Sequence, residues 1–68
     1  MAQPKNSEHH ANAFLARVWP VISDRPSRQQ RFIASVAADL AGEIAVGNLN
    51  PAAAWATLKG VWSGNIPP

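Results

Sequence analysis

Residues 27–46, SRQQRFIASVAADLAGEIAV, have the periodicity of an amphipathic helix whose non-polar surface is unusually wide. At about 100° per residue, one continuous aliphatic face contains Phe32, Ile33, Val36, Ala37, Leu40 and Ile44. A second stripe beside it contains the small residues Ala34, Ala38, Ala41 and Ala45. The polar residues cover only about a third of the circumference. We therefore expect this helix to be buried on two sides, by two helices of its own chain or by another chain.

The sequence before this segment predicts a first helix over about 7–19. Ser7 is a suitable N-cap, and apolar residues then recur at helical spacing. Pro20 disfavours helical geometry in the residue before it and lacks an N–H donor, so the helix is expected to end or kink there. Residues 1–6 are polar and are expected to form a flexible tail.

The ends of the wide helix also carry signals. Ser27 followed three residues later by Gln30 matches a capping box, which predicts a start near residue 26 or 27; Asp24 is the competing cap, with Pro26 in the first turn. Gly47 is a natural left-handed residue after a helix C-terminus, so the second helix is predicted over about 26–46.

A third helix is predicted over about 50–63, because Asn50 followed by proline is typical of an N-cap and a first helical residue. Its core face contains Trp55, Leu58, Val61 and Trp62, and its nearly flat opposite face contains Ala53, Ala56 and Gly60. Close approach of helices two and three, or of two copies of one helix, is expected through the alanine and glycine stripes. The sequence thus predicts an all-α fold, a small three-helix bundle over 7–63 with frayed termini and a non-helical tail at 64–68.

Composition limits the class of protein. The chain has 68 residues, no cysteine and a net charge of +2, so it forms one domain at most and has no disulfide. With 47% hydrophobic residues and no long apolar run, we expect a folded, cytoplasmic protein that neither enters a membrane nor carries a signal peptide. For so short a chain, the free energy gained by burying apolar side chains is close to the conformational entropy cost of ordering the chain. This near balance favours an oligomer or a bound partner.

No motif predicts catalysis, a metal site or a cofactor. His9 and His10 are adjacent and lie about 100° apart on a helix, so they cannot chelate one metal ion. Asp39 and Glu43 share the polar strip and are interpreted as solvated surface residues. The glycines and serines match no phosphate loop or nucleophile elbow.

A cluster of arginines offers the clearest charged feature. Arg25, Arg28 and Arg31 follow one another across the start of the second helix, where positive charge opposes the helix dipole. One interpretation is that they face carboxylates or phosphates of a partner. The alternative is that they are ordinary solubilising residues, paired with Asp24 or Glu8.

The tryptophans divide into two groups. Trp55 and Trp62 lie seven residues apart on the core face of the third helix, so they are assigned to the core. Trp19 stands beside a proline at a predicted helix end, and it is the tryptophan that we expect to be partly exposed.

These observations predict a non-enzymatic protein–protein interaction module: an inhibitor, regulator or small accessory subunit. Its partner is expected to be a protein with an acidic surface, or a second copy in a homodimer. The predicted partner-binding residues are Trp19, Arg25, Arg28, Arg31, Ala34 and Ala38. Short chains without motifs are common in phages and plasmids, where many block a host enzyme, and this favours an inhibitor.

The alternative function is nucleic-acid binding, with Arg25, Arg28 and Arg31 on phosphates and with Arg17 or Lys59 as further contacts. A helix-turn-helix is disfavoured because the third helix opens with PAAAW at residues 51–55, which offers no side chain for reading bases.

Overall fold

The computed structural model describes the backbone of residues 4–64 and the side chains of residues 7–63. It contains α1 (Pro4–Ile22), α2 (Ser27–Ala45) and α3 (Pro51–Gly64), so the predicted all-α, three-helix architecture is confirmed. Residues 23–26 join α1 to α2, and residues 46–50 join α2 to α3. Because the first connection is short, α1 and α2 are antiparallel neighbours.

Helix α1 is longer than predicted at both ends. Ser7 lies inside the helix rather than capping it, and residues 4–6 of the expected tail are helical, while residues 1–3 lie outside the described part. The helix also continues through Pro20 to Ile22. An internal proline costs about 3 kcal/mol, but full burial of a side chain such as Ile22 contributes roughly 1.5–3 kcal/mol. Packing of the last turn therefore offsets the cost of the proline.

The predicted capping box of α2 does not form. Ser27 is the first helical residue, and the N-cap residue is Pro26, which makes no side-chain cap. The Nε2 amide of Gln30 instead donates to the carbonyl oxygens of Ser23 and Arg25, both at 2.9 Å. The carbonyl groups of the connection before α2 thus engage the Gln30 side chain in place of the capping box. Through these hydrogen bonds, Gln30 holds the connection against α2.

The predicted end of α2 and start of α3 agree with the structure. Gly47 adopts φ +84°, and its N–H donates to the carbonyl of Ile44, while the N–H of Asn48 donates to the carbonyl of Glu43. This pair of bonds is a Schellman motif. The Oδ1 of Asn50 then accepts the N–H of Ala53 at 2.8 Å, which is the N-cap bond expected before Pro51.

Helix α3 includes Gly64, which the sequence places in the tail, and residues 65–68 of that tail lie outside the described part. The face of α3 turned to the core contains Ala54 and Leu58, both fully buried. The alanine and glycine face of α3 is exposed, so the expected close approach of α2 and α3 through Ala53, Ala56 and Gly60 is wrong.

The core is a narrow band shared by the three helices. Its members are Ala11, Phe14, Val18 and Ile22 of α1, Ile33, Ala37, Ala41 and Ile44 of α2, and Ala54 and Leu58 of α3. On α2 this band runs along the border between the aliphatic face and the alanine stripe. Phe32, Val36 and Leu40 are consequently only half-buried, although they pack against the core.

An aromatic cluster fixes α3 against α1. Phe14 and Trp55 meet edge to face with ring centroids 5.9 Å apart, and Trp55 and Trp62 do so at 5.4 Å. The guanidinium carbon of Arg17 lies 4.4 Å from the centroid of a Trp55 ring, which is cation–π geometry. Arg17 is therefore engaged with the tryptophan of α3.

Two glycines are predicted to respond to alanine in opposite directions. Gly47→Ala should lower the free energy of unfolding by about 1 kcal/mol, because an L side chain is disfavoured at positive φ. Gly60→Ala should raise it by about 0.5–1 kcal/mol, since Gly60 is inside α3 and an added Cβ meets nothing within 4 Å. Urea unfolding followed by circular dichroism measures both. Equal effects of the two substitutions would contradict the Schellman assignment.

The two candidate caps give a second matched pair. Asn50→Ala should cost about 1 kcal/mol of unfolding free energy because the N-cap bond to Ala53 is lost, and Asn50→Ser should recover most of it. Ser27→Ala should stay within about 0.5 kcal/mol of the wild type, because Ser27 caps nothing. Thermal unfolding at fixed protein concentration distinguishes them, and a larger loss at Ser27 would show that the capping box forms after all.

Candidate functional site

A groove of about 230 Å³ lies between α1 and α2, and we call it the α1–α2 groove. Its lining residues are Leu15, Val18 and Trp19 of α1 and Ala34, Ala37 and Ala38 of α2. Trp19 leaves 54% of its surface exposed, Ala38 is exposed and Ala34 is half-buried. The groove is therefore an open, apolar depression on the surface of the helical hairpin.

The groove arises from unequal side chains on the two helices. On α1, Leu15 and Trp19 are four residues apart and present two large side chains on one side of the core band. On α2, Ala34 and Ala38 have the same spacing but project only a methyl group each. Because large side chains on α1 lie beside methyl groups on α2, space remains between the helices.

The groove opens away from α3. Arg17 stacks on Trp55 of α3, and Arg17 and Trp19 lie about 160° apart around α1. Helix α3 thus covers the opposite side of the hairpin, next to Phe14. Helix α2 packs against both α1 and α3, as its wide non-polar surface predicts, but Ala38 stays exposed and Ala34 and Ala45 are only half-buried.

The size of the groove suits a side chain better than a small-molecule ligand. Ligand pockets measure about 300–1,000 Å³, whereas a cavity of about 150 Å³ already holds benzene. The α1–α2 groove lies between these sizes. It can accept one aromatic or two aliphatic side chains.

The predicted arginine cluster borders one end of the groove. Arg31 is exposed and precedes Ala34 by three residues and Ala38 by seven, so the three share one side of α2. Arg28 is exposed one turn earlier. Arg25 is half-buried in the connection, where its Nη1 donates to the Oε1 of Gln29 at 3.2 Å. Of the predicted site residues, Trp19, Ala34 and Ala38 line the groove and Arg31 flanks it, while Arg25 and Arg28 lie beyond its end.

Two residues of α1 next to the groove are not among the predicted site residues. Leu15 is half-buried and lines the groove beside Trp19. Glu8 lies seven residues before Leu15, which is two turns, and is therefore on the same side of α1, where it is exposed. The spacing of Glu8, Leu15 and Trp19 is visible in the sequence, but it becomes meaningful only when α3 is known to lie elsewhere.

The other polar groups do not converge on the groove. Rings of His9 and His10 are 6.1 Å apart and both side chains are exposed. Asp39 and Glu43 are exposed on α2, and Glu43 accepts a hydrogen bond from the Nδ2 of Asn48 at 3.2 Å. In the part of the chain that is described, no cluster of three or more His, Cys, Asp or Glu could hold a metal ion.

Among residues 4–64, no helix combines the length and the apolar character that crossing a membrane requires. Comparison with known protein families, with curated proteins and with solved structures finds no match to this chain.

Adjacent alanines on α2 provide a direct test of the groove. Ala37→Arg should unfold the protein or cost several kcal/mol, because Ala37 is fully buried and a charge there has no partner. Ala38→Arg should stay within about 0.5 kcal/mol of the wild type, since Ala38 is exposed and arginine is a good helix former. Thermal unfolding at low protein concentration measures both. A severe loss at Ala38 would mean that the groove is closed in the single chain.

Proposed function

We propose that this chain is a non-enzymatic protein-interaction module, an inhibitor, regulator or small accessory subunit, that docks through the α1–α2 groove. The observation that carries the proposal is the exposed Trp19 standing beside the methyl groups of Ala34 and Ala38, on the side of the hairpin away from α3. Tryptophan is among the residues most enriched at the energetic centres of protein interfaces. A large apolar side chain of a partner would fill the groove and cover Trp19.

The border of the groove favours a polypeptide partner with polar groups around its apolar contact. Arg31 lies on the same side of α2 as the two alanines and is exposed. A guanidinium group pairs with a carboxylate through two parallel hydrogen bonds, which would fix the orientation of an otherwise apolar contact. This is the arrangement of an apolar centre with a charged rim that is typical of interfaces.

Two exposed alanines allow a matched capture experiment. Ala38→Arg places a long charged side chain in the groove, and Ala56→Arg makes the same change on α3, about 160° from the buried Ala54. The wild type and both variants would be immobilised and exposed to an extract of the source cells. Proteins retained by the wild type and Ala56→Arg, but not by Ala38→Arg, would be identified by mass spectrometry and purified.

Binding of the purified partner is expected to weaken by about 30-fold or more with Ala38→Arg, because a central contact worth about 2 kcal/mol is lost. Ala56→Arg should bind like the wild type. The proposal fails if Ala38→Arg and Ala56→Arg retain the same proteins. It also fails if the retained material is nucleic acid, bound with a steep dependence on salt.

A further inference from the structure

We infer that the α1–α2 groove binds an amphipathic α-helix of another protein, with an acidic side chain of that helix at Arg31 and a basic side chain at Glu8. This partner class rests on the proposed function, because it names what docks on the same surface. Four features of the described residues support it: the apolar lining of the groove, a row of small residues on α2, the opposite charges at the two ends, and the poor fit of a second copy.

The lining of the groove favours a helix over an extended segment. It is aliphatic apart from Trp19, whose indole N–H is the one polar group among its side chains. An extended peptide lying there would turn backbone N–H and C=O groups towards apolar carbon, where they would lack partners. A helix bonds these groups internally and presents only side chains to the groove.

A row of small residues continues the groove along α2, and we call it the α2 row. Its members follow one another at intervals of three or four residues and therefore share one side of the helix: Ala34, Ala38, Gly42 and Ala45. Ala38 and Gly42 are exposed, and a Cβ added at Gly42 would meet nothing within 4 Å. Side chains this small let two helix axes approach to about 8 Å, so a helix lying on the α2 row would make close contact along about three turns.

Glu8 and Arg31 lie in opposite directions along the groove. Trp19 and Ala38 line it together, and α1 and α2 are antiparallel, so the residues that precede them lead towards opposite ends. Glu8 precedes Trp19 by 11 residues and Arg31 precedes Ala38 by seven, which correspond to about 16 Å and about 10 Å along the helices. The two charges are thus about 26 Å apart along the groove, a distance that a helix of about five turns spans.

The other charges described on α2 leave this pattern intact. Asp39 and Glu43 lie about 100–140° around the helix from the α2 row, so they point away from the groove. Asp24 stands in the connection before α2, but the three arginines of the cluster outnumber it and keep that end of the groove positive. The Arg31 end therefore favours an acidic side chain of the occupant, and the Glu8 end favours a basic one.

Symmetry disfavours a second copy of this chain in the groove. A two-fold axis along the groove lays α1 of each copy over α2 of the other and brings Trp19 towards the α2 row, but it does not exchange the ends of the groove. Both copies of Arg31 then lie at one end and both copies of Glu8 at the other, so like charges gather at each end. An axis across the groove exchanges the ends, but it lays α1 on α1 and leaves Trp19 off the α2 row. A helix of another protein can carry both signs in the required order.

Model peptides test the inference with the purified full chain. The Lys/Glu peptide is a helix of about 20 residues, with leucine at every third or fourth position, one central phenylalanine, and a lysine and a glutamate about five turns apart at the ends of the leucine face. Two companion peptides carry glutamate at both end positions or lysine at both. We expect the wild type to bind the Lys/Glu peptide with a Kd of about 10–100 μM by titration calorimetry, and the companions about fivefold more weakly.

Charge reversal in the protein should transfer the preference among the peptides. Glu8→Lys should bind the peptide with two glutamates best, and Arg31→Glu should bind the peptide with two lysines best, because each variant then meets opposite charge at both ends of the groove. Both positions are exposed, so circular dichroism should show an unchanged fold. If the wild type and both variants rank the three peptides alike, these two residues do not flank the occupant and the inference is wrong.

Gly42→Arg distinguishes a helix lying along the α2 row from a single side chain inserted beside Trp19. Gly42 is exposed inside α2 and is not one of the lining residues, so the substitution should leave the fold intact. It should weaken binding of the Lys/Glu peptide about tenfold, because the new side chain lies over the α2 row. Ala56→Arg on α3 should bind the peptide like the wild type. Equal binding by Gly42→Arg and Ala56→Arg would show that no helix lies along α2.

The outcomes separate this inference from the proposed function. A wild type that fails to bind the Lys/Glu peptide at about 1 mM overturns the helix as the occupant. If that protein still binds a purified partner in a manner lost in Ala38→Arg, the proposed function stands with another occupant. A dimer in analytical ultracentrifugation that Ala38→Arg disrupts would make the occupant a second copy and overturn the inference. If Ala38→Arg changes the binding of neither peptide nor protein, the inference and the proposed function both fail.

Discussion

Packing of α1 along one line of α2 is the constraint on which the rest of the structure depends. The line consists of Ile33, Ala37, Ala41 and Ile44, and it faces Ala11, Phe14, Val18 and Ile22 of α1. Ala37 and Ala41 in the middle of this line are small, and the larger Phe14, Val18 and Ile22 of α1 are buried with them in the same core.

Because α2 has a limited circumference, the position of α1 determines which part of the α2 surface remains for α3 or for a binding partner. Helix α3 contributes Trp55, which packs on Phe14 and lies under Arg17. Within residues 4–64, no third helix covers the side of the hairpin away from this cluster, and it is there that Trp19, Ala34 and Ala38 meet. The proposed interface is thus the part of the wide non-polar surface that α1 and α3 leave open.

The residues of the candidate site differ in how far the sequence alone predicts their roles. Exposure of Trp19 and the small size of Ala34 and Ala38 follow from their places in the sequence, and the structure brings these three together. The role of Leu15 was not foreseeable, because an apolar residue at helical spacing has the same pattern whether it faces the core or a groove. Arg17, a candidate nucleic-acid contact in the sequence, stacks on Trp55 of α3, and neighbouring residues do not predict this contact because it joins residues far apart in the chain.

The features of this protein that the sequence predicts correctly depend mostly on local interactions. The end of α2 at Gly47 and the start of α3 at Asn50 depend on hydrogen bonds between residues at most five positions apart, so neighbouring residues suffice to predict them. Contacts between distant residues decided the rest. The burial of Ile22 carries α1 past Pro20, the stacking of Arg17 on Trp55 sets the side that α3 covers, and the alanine stripe of α2 is left partly open as a result. A helical pattern specifies which residues are apolar, but only the placement of the other helices specifies which of them remain accessible.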